Sequence, residues 1–600
     1  MQDDSVPAFD GLSRAKLESD LNSEYGSLES GYNNAKTKRI DFYQRYRFEL
    51  YGNEREGSSS YVDSTIFNAI EWMVPTFVQP FIETQNLVHL DPEGSDAASL
   101  IASRAHKELL QYQLRKKTDF YTFLYDMAKT FFIDGESYAK HVWIKKDKKN
   151  GEPVSRNSVV HVPSSAIRYD WNVKDMCDSY VVTEDKDITR SEVVLMRGKK
   201  GVIGDCLEKV LEGHGRNERD SELSEEQKEH PNHAGENESF RTEGNKLYRR
   251  REHWTEYDVD GSGVVTPILA VFINDVLVQV VRNPYPYNKH PYQKAECVRD
   301  PEGGLGVGFA ELLAPIQAFK TGIFRMFSDN LNAQNNGMFE VDTNFVDDVG
   351  LMILQRAPAG ARTPIPSRKI GSIQPLQPAP IAGHSMQVME MLNVESENRT
   401  GFTRYSQGLD SSSLNQTATG ISAIIQRSEM RMWELAARFA ESFLKPLVRK
   451  CIMMNQTGLT EMELKTHFSV DETTIGDMVI AAQPQGTWLK LNKDDLGGYF
   501  TISIDLETPT SKEKKSADLA QWAQYFGPLL PPEIVQGVAA ISANQVGLKD
   551  LENLMRGISN GRYYGQRGPI YDAFGDGAGQ NGEGAGAGPV GPVAPEQLGL

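Results

Sequence analysis

The sequence predicts an α+β protein of several domains organised around long helices, and three observations predict it. First, residues 417–457 read as one amphipathic helix. Ile421, Ile424, Ile425, Met432, Leu435, Phe439, Phe443, Leu447 and Cys451 recur at steps of three and four, while Arg427, Glu434, Arg438, Glu441, Lys445 and Arg449 fill the other face. Second, Phe309, Leu312, Leu313, Ile316, Phe319, Ile323, Met326, Phe327 and Leu331 form a comparable stripe that stops at Asn335-Asn336-Gly337. Third, the apolar runs VVTPILAVFI and VLVQVV flank Asn274-Asp275, a two-residue hairpin turn, and YFTISIDLE at 499–507 reads as a further strand.

The composition narrows the function. Of 600 residues, 39% are hydrophobic and 24% charged, which suits a chain with real cores. A net charge of −18 argues against a protein whose task is to grip DNA. It is compatible with one that DNA passes through, since a smooth passage should not bind the phosphates and a negative lining would repel them. Cys177, Cys206, Cys297 and Cys451 form no Cys-x-x-Cys pair, so no zinc ribbon or redox motif is expected. Scattered thiols fit a reducing compartment. The start, MQDDSVPAFDG, lacks the apolar core of a signal peptide. The most lipid-like run, 66–82, is broken by Glu71, Pro75, Gln79 and Pro80, so no membrane partner is expected.

In chain order, residues 1–60 read as a polar helical arm. Its FYQRYRFELYG stretch reads as a helix docked on a larger body. Helices follow at 97–117 and 119–133. The second carries Phe120, Phe123, Leu124, Met127 and Phe131 as a core stripe, then turns at Asp134-Gly135 into the strand SYAKHVWIKK. Residues 213–246 hold only Leu223 and Phe240 as large apolar residues and read as a solvated insertion. His230 and His233 have metal-like spacing, but Pro231 between them removes the helix that would hold them. The DVDGSG phrase at 258–263 fails as a calcium loop, since Leu269 stands where a bidentate Glu belongs, and reads as a turn. NPYPYNKHPY reads as a rigid, extended connector. The glycines of PEGGLGVGF precede the helix at 309 without the Gly-Lys-Ser/Thr of a phosphate loop.

Residues 338–381 change to short strands and prolines, with Pro358, Pro364, Pro366, Pro375, Pro378 and Pro380. A second helix, with Met386, Met389, Leu392 and Val394, spans 384–398. A Gly- and Ser-rich loop leads to the long helix, where Asn415 or Thr417 supplies the N-cap. Pro446 lacks an N–H and clashes with the Ser442 carbonyl, so a kink is expected there. Shorter helices fill 511–558, and the Gly-rich 575–600 cannot bury a core and is expected to be disordered. Walker A, H-E-x-x-H and G-x-S-x-G sequences are absent and no carboxylate pair stands out, so neither enzyme activity nor a cofactor is expected. Long amphipathic helices flanking a projection are most easily buried in a closed ring of copies. A monomer with long core helices is the alternative.

Several phrases also resemble one family. They are Thr400-Gly401, Thr403-Arg404, Gln407-Gly408-Leu409-Asp410 and the LNQTATG of 414–420. LVHLDPEGSD, the helix, Asp-Gly, strand order after 119 and the Gly-Leu-Gly before 309 extend the likeness over most of the chain. Together they resemble the portal (head-to-tail connector) proteins of short-tailed bacteriophages. The resemblance implies a portal fold with wing, two-helix stem, clip, tunnel loop and helical crown, assembled as a homo-oligomeric ring, usually of twelve. It implies an arm at 1–60, wing at 61–300, first stem helix at 301–337, clip at 338–381 and second stem helix at 382–398. The tunnel loop then covers 399–416, the long helix 417–457, wing strands 458–510, crown 511–574 and the tail 575–600. Double-stranded DNA would be packaged and ejected through the axis. Partners would be capsid and scaffolding proteins, the terminase large subunit and a tail adaptor, in a virion assembled in the host cytoplasm. Arg404, Tyr405, Ser406, Gln407, Ser411, Ser412 and Asn415 would line the channel, with Gly401 and Gly408 as hinges. Arg404 would touch phosphate or, equally, bridge to a neighbouring subunit. The acidic insertion and Gly-rich tail depart from the family pattern. A tail adaptor or ejected internal protein, or a nucleic-acid enzyme, are the competing readings.

Overall fold

Runs of helices and runs of strands follow one another along the chain. The computed structural model describes residues 5–6, 9–84, 87–93, 97–149, 152–212, 243–299, 305–335, 338–356, 369, 371, 373–376, 384–401, 430–459, 500–504, 506 and 521. The chain divides into two compact units, Met1–Leu506 and Glu507–Leu600, and all described residues but Gln521 belong to the first. Residues 213–242 of the expected solvated insertion, the crown helices but for Gln521, the N-cap at Asn415 or Thr417 and the Gly-rich tail lie outside the described residues.

A short hairpin, β1 (Ser5–Val6) and β2 (Phe9–Ser13), precedes α1 (Arg14–Tyr46). This helix buries a row of side chains, Leu17, Leu21, Tyr25, Leu28, Tyr32 and Ala35, and adds polar ties to them. Tyr25 donates to Asp185 at 2.8 Å, Tyr257 donates to Asp20 at 2.8 Å, and His253 Nε2 meets Glu24 Oε2 at 2.8 Å. Its last turns are docked as expected, with Phe42 and Arg39 buried. Next come α2 (Thr65–Glu83), β3 (Val88–Pro92), α3 (Ala97–Gln111) with a π-helical continuation over Tyr112–Lys117, and α4 (Phe120–Asp134). All five residues of the expected aromatic stripe on α4 are buried. Asp119 caps its start, and Gly135, at φ +84°, ends it in the left-handed conformation that glycine adopts without strain.

The strands β4 (Glu136–Lys149), β5 (Glu152–Val162), β6 (Ile167–Tyr169), β7 (Val182–Thr189), β8 (Leu247–Tyr257), β9 (Thr266–Ile273), β10 (Val276–Arg282) and β11 (Tyr292–Glu296) build two antiparallel sheets. Their orders are β10-β9-β8-β7-β6 and β11-β4-β5. Two short helices, α5 (Arg190–Val194) and α6 (Gly204–Glu212), lie in sequence between β7 and β8. The hairpin at Asn274-Asp275 is as expected: both residues have positive φ, 48° and 65°, matching the twist of the strands they join. The connector NPYPYNKHPY is not extended. The Asn283 side chain accepts from Tyr285 N–H at 2.9 Å, Asn288 N–H returns to Tyr285 O at 3.1 Å, and the Tyr285 and Tyr287 rings stack 5.1 Å apart. An Asx turn has overridden the stiffness of the prolines.

The chain then forms α7 (Phe309–Asn335), β12 (Met338–Val341), α8 (Asp348–Arg356), β13 (Ile373–Leu376) and α9 (His384–Thr400). Residues 430–439 continue through a π-helical turn, Ala440–Leu444, into α10 (Lys445–Gly458), which stops where expected. β14 (Phe500–Ile504) pairs antiparallel with β3, placing Ile502 opposite Leu90. The main core lies where α2, α4, the start of α7 and the long helix meet. Phe77 stands 5.3 Å from each of Phe131, Phe132 and Phe439, centroid to centroid. Burying one such ring contributes about 2 kcal/mol. The distortion expected at Pro446 takes the form of the π-helical turn just before it. The Ser442 carbonyl, which Pro446 cannot serve, accepts from Gln293 Nε2 at 3.3 Å.

Candidate functional site

Four glycines and a carboxylate fix the root of α7. A Cβ on Gly308 would stand 2.6 Å from Ile133 O and 2.7 Å from Gly135 N, and one on Gly306 would stand 2.5 Å from Gly135 O. Only glycine allows main chain to meet main chain this closely. Beside the joint, Glu136 is completely buried. It accepts from Arg39 at 3.1 Å, Tyr138 at 2.5 Å, Lys294 at 3.5 Å and the Gly306 N–H at 2.9 Å. One side chain thus ties α1, β4, β11 and the entry to α7.

The fourth glycine, Gly401, closes α9. Its φ is +72°, its N–H donates to Glu397 O at 2.7 Å, and a Cβ there would meet Arg431 Cδ at 2.9 Å. Gly401, expected as a hinge, adopts the conformation of a helix terminator. Arg431 donates to Arg399 O at 2.6 Å and lies 5.5 Å over the Phe309 ring, while Arg399 donates to Leu312 O at 2.8 Å. Residues 402–429 therefore leave and rejoin the described chain at one cluster beside the first turn of α7. Arg404, Tyr405, Ser406, Gln407, Ser411, Ser412 and Asn415 all fall within that span, outside the described residues.

Past this root the two helices change character. Phe309, Leu313 and Ile316 of α7 are buried, but Phe319 is 56% exposed, Met326 71% and Leu331 54%. On α9, Met386 and Met391 are exposed to 69% and 71%. The apolar stripe read from sequence continues beyond the protein's own core. Between the helices, β12 pairs with β13, Met338 opposite Leu376, and α8 presents exposed Val349 and Met352.

A buried polar hub holds the far end of the long helix. Asn157 donates to Gln113 Oε1 at 2.9 Å, Asn455 Oδ1 at 2.8 Å and Cys451 O at 3.1 Å, and its Oδ1 lies 2.8 Å from His141 Nε2. Burial drives the His141 imidazole down to about 4, so it stays neutral. One turn earlier, Lys450 donates to Tyr292 O at 2.7 Å, His290 O at 3.3 Å and Gln293 Oε1 at 3.4 Å. No carboxylate touches it, and burial pushes its ammonium down to about 8. Sequence reading missed Glu136, Asn157 and Lys450, because each is defined by partners far away in the chain. The one available clue was the glycine phrase before 309.

Among the described residues, no group of three or more His, Cys, Asp or Glu side chains could hold a metal ion, and no helix is long and apolar enough to cross a membrane. A family model described as Phage SU10 portal protein matches residues 17–161 and 152–570, most of the chain. This is a family of structural proteins, and the match agrees with the likeness carried by the phrases around 400–420. On a match of that extent, over a mixed helix-and-sheet fold, the chain belongs to the Phage SU10 portal protein family and serves as a phage portal.

Proposed function

We propose that copies of the chain close into a ring, of about twelve, at one capsid vertex, and that double-stranded DNA passes along its axis during packaging and ejection. The observation that carries this reading is the exposed apolar stripe on α7 and α9. Phe319 alone leaves on the order of 110 Å² uncovered, about 3 kcal/mol if a neighbour buries it. Tyr61 and Phe324, partly exposed with rings 5.0 Å apart, extend the stripe towards α2. A closed ring covers such a stripe on every copy at once.

In this reading α7 and α9 are the stem, and 338–381 is the clip that docks the terminase and then the tail adaptor. The bodies around the sheets are the wing, meeting capsid and scaffolding proteins. The span from 402 is the tunnel loop, with Arg404 towards phosphate and Tyr405, Ser406, Gln407, Ser411, Ser412 and Asn415 giving weak polar contacts. The chain resides in the virion after assembly in the host cytoplasm. Electron microscopy of the purified chain tests this. Rings with a central hole are expected, and Phe319→Asp with Met326→Asp should leave folded single copies. Lone compact particles at every concentration would overturn the proposal, as would intact rings from the double variant.

A further inference from the structure

The outer faces of α7 and α9 carry a residue type that their inner faces do not. Inward, α7 sets Phe309, Leu313 and Ile316 in the main core, and α9 packs Leu392 against it. Outward, the most exposed large apolar side chains of the two helices are Met326 on α7 and Met386 and Met391 on α9, each more than two-thirds exposed. The two helices pack on each other, so the three thioethers stand on one helix pair. Elsewhere, Met73, Met127 and Met176 are completely buried. Met352, Met430 and Met453 are exposed as well, but on α8, at the start of the described part of the long helix and on α10.

A thioether brings two properties to such a face. Its unbranched chain, with three rotatable bonds, adapts to whatever surface covers it, which suits copies that must meet repeatedly around an axis. Its sulfur is also oxidised when solvent peroxide reaches it. Hydrogen peroxide delivers one oxygen to the sulfur lone pair: the O–O bond breaks, an S–O bond forms, the thioether becomes a sulfoxide and the peroxide is reduced to water. The product is polar and chiral, so a neighbour that buries it must strip away its water.

We infer that Met326, Met386 and Met391 form an oxidation site which, as sulfoxides, keeps copies of the chain from closing into a ring. The inference rests on the reading that a second copy covers this face, and it adds a chemical condition to assembly. The free chain exposes the three sulfurs to peroxide; the ring covers them. Only chains that reach a neighbour before they are oxidised are then built in. The block is reversible, because a sulfoxide reductase returns the sulfur to a thioether, with two thiols becoming a disulfide and the oxygen leaving as water.

The test treats the full-length chain with hydrogen peroxide below its assembly concentration, then follows ring formation by analytical ultracentrifugation and sulfoxide at each methionine by peptide mass spectrometry. Met326, Met386 and Met391 should gain oxygen while Met73, Met127 and Met176 stay reduced, which also checks that the chain is still folded. The concentration for half assembly should rise at least about tenfold. In a partly oxidised sample, chains recovered in rings should be depleted in sulfoxide at the three positions relative to chains left outside. A variant carrying Met326→Leu, Met386→Leu and Met391→Leu should have the same half-assembly concentration before and after peroxide, whatever its starting value. Rings as rich in sulfoxide at 326, 386 and 391 as the free chains would overturn the inference. So would equal peroxide sensitivity in the leucine variant, which would put the damage at another sulfur. Either result leaves the ring itself standing, whereas an untreated wild-type chain that forms no rings sinks the portal reading and this inference with it.

Discussion

Replacing Lys450 with methionine should change how stability depends on pH. Lys450 is buried against three neutral acceptors, the carbonyls of Tyr292 and His290 and the amide oxygen of Gln293. Burial is the main cause that lowers its ammonium from 10.5 to about 8; the Lys289 charge adds to it, while Cys177, Cys451 and Asp175 oppose it. Between those two values the unfolded chain holds the proton more tightly, so stability should rise with pH from about 8 to 10.5 and lie flat below. The penalty present at pH 7 is about 3 kcal/mol, most of it recovered by about pH 10. Lys450→Met removes the penalty but takes the lysine donor from the Tyr292 and His290 carbonyls, at about 1 kcal/mol each, while Gln293 Oε1 keeps the Cys177 thiol at 3.2 Å. The variant should therefore be about 1 kcal/mol more stable than the wild type near pH 7 and about 1 kcal/mol less stable near pH 10. Urea unfolding of both proteins, at equal chain concentration across that range, measures the difference. Parallel curves for the two would refute the reasoning.

Three further outcomes are expected. Glu136→Ala leaves buried Arg39 and Lys294 without their shared carboxylate and should cost about 3–5 kcal/mol, read as a lower thermal midpoint; an unchanged midpoint counts against the tie described at the root of α7. Gly308→Ala sets a methyl against three main-chain atoms, at 2.6, 2.7 and 3.0 Å, and should destabilise by about 3 kcal/mol or more, again by thermal unfolding. Burial holds the imidazoles of His290 and His141 down at about 3 and about 4. Since the unfolded chain takes up these protons near 6.5, stability should drop as pH falls below that value, by about 2 kcal/mol per imidazole at pH 5. His290→Gln should make the drop smaller in urea midpoints at pH 7 and 5, and an equal drop in variant and wild type would contradict this.

Much of the fold was legible wherever one segment carries its own pattern. The stripe on α4, the spans of α7 and α9, the stop at Gly458 and the Asn274-Asp275 turn all follow from local periodicity and caps. Burial beyond the segment was not legible. The row that includes Phe319, Met326 and Leu331 has the same spacing as Phe309, Leu313 and Ile316, and periodicity cannot say which half the protein covers itself. Pro446 gave the place of a distortion. That the freed Ser442 carbonyl is served by Gln293 depends on a strand 149 residues away in sequence. The helix α8 was hidden by the prolines of 338–381, all of which fall after it. None of the expected channel-lining residues falls among the described residues; only the two ends of their span, at Arg399, Gly401 and Arg431, do.

The glycine joint at 135, 306 and 308 has a mechanical consequence. Ordinary packing yields under load because side chains swap rotamers and let neighbours slide. Where bare main chain abuts bare main chain, no such give exists. A push or twist delivered to α7 must then arrive at the last turn of α4 and the first residue of β4, and from there at the sheet. α7 and the sheet of β4 should move as a coupled lever, so any flexing falls to the segments beyond this joint.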